Sequence, residues 1–331
     1  MSHVSAIGSA HSGQMVVYRP SMPALPMEPS WDILDVPNPH ELVRLAGKYK
    51  FKKANSRFKQ GDGSQVVYRG HSSLHATCLP SGARGSSGPS SRASISRLSG
   101  DIRKYVDVLM EGECTCHGNR PLWYCPEVVE SHGRGRPGSG LTGGTPRAAV
   151  EPLLQHYGLR TRWVDAVDNI WVALWFACHT LQVNSKSKKY AYHVRRSIAQ
   201  EPEGYAYISV ISSGPLERIG SPGCWEGPKS RLIDLRIAAP SLYLRPHAQH
   251  ALSIAAHNWN ELDTIDIGPL HNATLRIRLG DALLWLGDGT MLRPFVLFPP
   301  AAIDDGYRRL LDRAPEPPTR MGKFLIYGPG N

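Results

Sequence analysis

Apolar positions recur along this chain with two different periods, and the change from one to the other divides it. Leu42, Val43, Leu45 and Ala46 follow the start signal Asn38-Pro39-His40-Glu41 and predict a helix within residues 31–50. Ile102, Tyr105, Val106 and Leu109 share one face of a second helix over residues 102–110. Residues 148–156 predict a third helix. Residues 170–181 are almost wholly apolar, so they predict a buried helix, with Asp168 or Asn169 as its cap. Between these helices, residues 65–69 read as a strand. The second half is strand-like at residues 204–212, 230–238, 273–279, 295–298 and 323–327, with one short helix at 304–311. A helical first half before a strand-rich second half predicts an α+β fold.

Punctuation sets the organisation. Residues 1–30 are polar and rich in Pro, Ser and Met, which predicts a disordered N-terminal tail. Residues 80–96 read as a loop. The Gly-rich stretch 131–147 ends a flexible insertion over about 112–147. The expected domain is 31–312, followed by a C-terminal tail, 313–331, that holds a short strand.

Polar residues crowd the entrance to the apolar helix. Gln155, His156, Tyr157, Arg160, Thr161, Arg162 and Asp165 all precede it closely, where a core can fix their placement. About eighty-five residues earlier, Val66-Val67-Tyr68 leads into Arg69-Gly70 as at the end of a buried strand. Tyr68-Arg69-Gly70, the block Gln155-His156-Tyr157-Gly158-Leu159-Arg160-Thr161-Arg162 and the step Val164-Asp165 together resemble the FRG domain, named for its (Phe/Tyr)-Arg-Gly motif. Arg245 and Gln249 give a weaker third match, because the step Gln249-His250-Ala251-Leu252 lacks the glycine and the aromatic of the family's Gln-Gly-Leu-Phe. Trp163 and Arg160 also depart from the pattern. The resemblance covers roughly residues 31–312.

The resemblance places one site. Arg69 can offer a planar donor fork to phosphate or carboxylate, or pair structurally with Asp165. Gly70 can let a ligand approach the backbone. His156 can transfer a proton or hydrogen-bond a ligand, or simply bond the backbone within the core. Tyr157 can stack on a flat ring or pack. Arg160 and Arg162 offer further donors, Asp165 can orient an arginine, and Arg245 and Gln249 join the site by resemblance.

A more distant analogy is to arginine-type ADP-ribosyltransferases, which carry a Tyr-Arg-Gly-like strand within a split, mixed or antiparallel sheet. On that analogy NAD is the substrate. His156, Gln249 and Asp165 act on it, and Arg69, Gly70, Tyr157, Arg162 and Arg245 hold it. Such domains suit bacterial or phage toxins and defence effectors. One departure stands out: the late glutamates Glu217, Glu226 and Glu261 have no motif around them.

Composition changes this picture in part. A net charge of +10 attracts phosphates, and the cluster Lys48 to Lys59, with Tyr49, Phe51 and Phe58 interleaved, keeps a nucleic-acid-binding module open as an alternative. A non-catalytic interaction domain is the other. No apolar run of eighteen residues occurs, so no membrane span is expected and the cytoplasm is the default. Six scattered cysteines do not suggest a disulfide framework. Cys114, Cys116, His117 and Cys125 could ligate zinc, but their spacing is not that of a standard finger, so no metal is expected. P-loop, nucleophile-elbow and H-E-x-x-H motifs are absent. The partner expected is a nucleotide-like small molecule.

Overall fold

A computed structural model describes residues 31–55, 63–83 except 76, short helical and strand positions within 101–121, and residues 147–183, 189–195, 204–219, 222–257, 266–287 and 291–327. The N-terminal segment, most of the insertion, Phe58 and the side chains of Cys114, Cys116, His117 and Cys125 lie outside them.

The chain opens with strand β1 (Asp32–Asp35) and helix α1 (Pro39–Asn55). Asn38 Oδ1 accepts the Glu41 amide and caps α1, as the start signal implied. Leu42, Leu45 and Ala46 are buried, but Val43 faces solvent. Strand β2 (Val66–His71) follows, then a short hairpin of β3 (Glu113–Cys114) and β4 (Arg120–Pro121). Ile102, Tyr105 and Leu109 are buried on the helical positions before that hairpin. Helix α2 (Arg147–His156) leads through a turn into β5 (Val164–Val167) and helix α3 (Ile170–Cys178).

Asn169, not Asp168, caps α3, accepting the amides of Trp171 and Val172. The helix stops at Cys178, short of the expected residue 181. His179 adopts an extended backbone and opens strand β6 (His179–Val183), which pairs with β7 (Tyr190–Val194).

The second half supplies β8 (Tyr205–Ser212), β9 (Glu217–Arg218), β10 (Cys224–Glu226), β11 (Ser230–Asp234), helix α4 (Leu235–Ala238), helix α5 (Leu244–Ala248), β12 (Ala251–Ala256), β13 (His271–Arg278), and helices α6 (Leu279–Trp285), α7 (Pro294–Leu297) and α8 (Asp305–Arg313). Three expectations fail here for local reasons. The strand over 230–238 ends at Asp234 because that carboxylate accepts the Arg236 amide and starts a helix. Residues 295–298 form a helical turn, not a strand, since Pro294 opens it and the Phe298 amide closes onto Pro294. Residues 323–327 form no strand; only the preceding Gly322 and the last residue, Tyr327, make isolated bridges, to Leu159 and Tyr190.

The fold is α+β around one nine-stranded sheet of order β1-β13-β8-β2-β5-β12-β11-β10-β9. The pair β1–β13 is parallel and the other pairs are antiparallel. The central pairing is thin. β2 matches β8 over six residue pairs, yet it meets β5 only at Tyr68 opposite Val167. One core gathers α1, α3 and α6 against β13, β8 and β2. A second gathers α2, α4 and α8 near β10, β11 and β12. A third covers Val67, Ala166, Leu232 and Ile254. No helix among the described residues is long and apolar enough to cross a membrane.

Gly70 fixes how closely α3 lies on β2. A Cβ there would stand 1.9 Å from the Ala173 carbonyl oxygen and 2.7 Å from the Ala177 amide nitrogen. The glycine accommodates a helix backbone, which no rotamer change can move aside. Gly70→Ala should therefore cost on the order of 3 kcal/mol, read by urea denaturation, whereas a small loss would show that α3 shifts freely.

Acid sensitivity follows from His271, stacked on Trp31 at 4.0 Å. Burial lowers its pKa to about 4. The unfolded chain then holds more protons between the ordinary histidine value and about 4, so stability should fall as pH drops through that window. The loss attributable to His271 should be at most about 3 kcal/mol. His271→Phe should shallow this acid limb in pH-dependent denaturation, leaving the part due to His156 and His179, both also lowered mainly by burial.

Candidate functional site

Where β2 and β5 part, a cavity of about 420 Å³ opens. Its walls include Arg69, Gly70 and His71 from β2, Asp165 from β5, and Gln155 and His156 from the end of α2. Gln249 closes one side. Phe176, Tyr192, Phe298 and Tyr327 form an aromatic wall. Tyr192 stacks on Phe298 at 4.6 Å and Phe298 on Tyr327 at 4.4 Å.

Arg69 reaches across the parting and donates Nη1 to the Asp165 carbonyl, not to its carboxylate. The structural pair with Asp165 expected from sequence is thus a bond to the backbone. The Asp165 carboxylate turns instead toward His156, with Oδ1 3.6 Å from Nε2. His156 Nδ1 lies 3.0 Å from Gln249 Oε1, and the Gln249 amide nitrogen donates to the Leu297 carbonyl at 2.8 Å. Arg69, Asp165, His156 and Gln249 therefore form one connected line along the cavity. Burial lowers the His156 pKa against the opposing pull of Asp165 and Gln249, and nearby Arg245 adds to the lowering.

Other expected members stand elsewhere. Tyr157 is wholly buried and does not line the cavity. Its hydroxyl donates to Asp304 at 2.9 Å and its ring stacks on Tyr307 at 5.3 Å, so it packs and cannot stack on a ligand. Arg162 holds Glu151 with Nε and Nη2 and also lies off the cavity wall. Arg245 is fully buried behind the wall. Its guanidinium lies about 4.5 Å from the rings of Tyr307 and Tyr327 and 4.6 Å from that of Tyr157, and Nη1 donates to the His156 carbonyl. Neither Arg162 nor Arg245 is placed to touch a ligand. Gly70 lines the cavity, but its missing side chain makes room for α3. Gln155 accepts the Thr161 hydroxyl, and Arg160 stands exposed at the rim.

The aromatic wall was missed. Tyr192 lies on β7, and Tyr327 lies in a segment expected to be a tail. That segment folds back onto the motif block. The Leu325 amide donates to the Tyr157 carbonyl, and the Arg160 amide donates to the Met321 carbonyl.

The sequence cluster near Lys50 is partly committed as well. Lys50 pairs with the Asp168 carboxylate at 2.5 Å and lies over Tyr68. Among the described residues no glutamate lines the cavity. Glu217 lies on the outer edge strand and Glu226 pairs with Arg231, while Glu261 is outside the described residues. Among the described residues no group of three His, Cys, Asp or Glu side chains could hold a metal ion.

No protein-family model, curated protein or solved structure matches the chain.

Tyr157→Phe removes the hydroxyl that Asp304 accepts, and burial already raises the Asp304 pKa. The variant should lose about 1–3 kcal/mol of stability while ligand binding is unchanged, as measured by denaturation and calorimetry. Tyr327→Ala should do the opposite to binding, weakening any ring-bearing ligand.

Proposed function

We propose that the cavity binds a nucleotide, with an anionic phosphate at Arg69 and a flat ring against Phe298 and Tyr327. The substrate best suited is NAD, used as in ADP-ribosyltransferase-like enzymes that break the bond between ribose and nicotinamide. The observation carrying this reading is convergence. Arg69 and the His156–Asp165 pair, distant in sequence, meet on one cavity through Asp165, whose carbonyl takes Arg69 and whose carboxylate faces His156.

Each part supplies a named physical effect. A guanidinium grips phosphate with parallel charge-assisted hydrogen bonds. Aromatic faces bind a flat ring, best when it carries positive charge as oxidised nicotinamide does. Bond cleavage develops positive charge on the ribose. Asp165, the one carboxylate on the cavity wall among the described residues, is placed to stabilise it, the role a late glutamate has in the analogous transferases.

Calorimetry and thermal shift with NAD, ADP-ribose, ATP and short oligonucleotides test this. NAD should stabilise the protein, by about 2.7 kcal/mol at a hundredfold excess over its dissociation constant. Arg69→Ala should weaken binding about 10- to 100-fold in protein that still unfolds cooperatively, with some loss of stability from the Asp165 carbonyl it leaves unpaired. Nicotinamide should appear on incubation with the wild type and not with Asp165→Asn. A folded protein that ignores all nucleotides, or that responds only to oligonucleotides with steep salt dependence, contradicts the reading.

A further inference from the structure

The hydrogen atoms around His156 can be assigned from its neighbours. Gln249 donates its amide nitrogen to the Leu297 carbonyl, so its oxygen must face His156. An amide oxygen only accepts, so His156 Nδ1 carries the hydrogen. A neutral ring then has a bare lone pair on Nε2. That atom faces Asp165 Oδ1 at 3.6 Å, and neither atom has a hydrogen-bond partner. The His156 side chain is 4% exposed and borders the cavity. Two buried acceptors that face one another leave a place for a proton-bearing group, and an ionised phosphate cannot fill it.

The geometry points to His156 Nε2 as the proton acceptor of the site, with Gln249 as the residue that positions it. The group that gives up the proton is the O–H of water or of an acceptor alcohol. This inference rests on the NAD-using reading. The oxygen of that O–H forms a bond to the anomeric carbon of the nicotinamide ribose as the carbon–nitrogen bond breaks. The electron pair of the broken bond leaves with the ring nitrogen, giving neutral nicotinamide. The proton passes to His156 Nε2, and nothing is oxidised or reduced. The resulting imidazolium donates to Gln249 through Nδ1 and faces the Asp165 carboxylate through Nε2. Arg245, bonded to the His156 carbonyl from behind, and Arg69 across the cavity are the cations nearby. Arg245 opposes protonation at rest, while Asp165 and the Gln249 oxygen favour it.

The test is imidazole nitrogen NMR of the full chain across the histidine titration range, together with the pH profile of nicotinamide release. His156 should appear as the neutral Nδ1–H tautomer and protonate below the ordinary histidine value. Gln249→Glu should keep that tautomer, raise the pKa, and shift the acid limb of kcat upward with it. Gln249→Leu should mix the tautomers and lower kcat more than it changes KM. His156→Gln should slow turnover about 100-fold or more. An Nε2–H tautomer in the wild type, an imidazolium at neutral pH, or an acid limb that ignores Gln249→Glu overturns the inference even where NAD is consumed. If NAD is not consumed although the Nδ1–H tautomer is found, the functional reading fails and the proton-acceptor role fails with it, leaving only the tautomer assignment.

Discussion

The single residue pair that joins β2 to β5 governs this molecule. Sheet strands usually pair along their length, but here the contact at Tyr68 and Val167 is followed by divergence. Two constraints hold the strands so. Gly70 presses β2 against the backbone of α3, while β5 is drawn into an antiparallel ladder with β12 over four residue pairs. The first core lies mostly on one half of the sheet and the second on the other, while the third spans both, and the cavity opens where β2 and β5 part. Arg69 bridges the seam by taking the Asp165 carbonyl, whose strand partner on that side is missing. An unpaired buried carbonyl would be costly, and a charged donor satisfies it. One side chain therefore completes the backbone bonding of the sheet and borders the pocket.

Behind the seam, a second arrangement fixes the wall. Arg245 is a cation with no exposed surface, which alone would be unfavourable. Faces of Tyr157, Tyr307 and Tyr327 surround it, and their quadrupoles offset part of the lost hydration. The same guanidinium holds the last carbonyl of α2. It links the histidine to the returning C-terminal segment, so the polar side and the aromatic side of the cavity share a support that does not itself line the cavity.

Much of this was legible in the residues, and what was not has physical reasons. The apolar run after Asn169 could only be a buried helix, and its polar entrance did gather at a cavity mouth. Arg69, Asp165, His156 and Gln249, all singled out in the sequence, line one cavity. Strands β5 and β12 were hidden because each is short and interrupted by a polar residue, Asp165 in one and Ser253 in the other. Tyr157 follows His156 directly, yet one position along a helix end turns a side chain by a large angle. It points to Asp304, 147 residues away, a partner that no local pattern announces. Arg162 reads as a free cation in the motif, but Glu151, 11 residues earlier on α2, takes it. Tyr327 looked like part of a tail because extended segments without alternation carry no periodic signal.

The central claim is that the parted sheet holds a nucleotide between Arg69 and the aromatic wall. A crystal structure grown with ADP-ribose tests it most directly. The account predicts diphosphate density against the Arg69 guanidinium, with the sugar hydroxyls nearest His156 and Asp165. Density for the ligand elsewhere on the molecule, or a cavity filled by ordered water at saturating ligand, would contradict it.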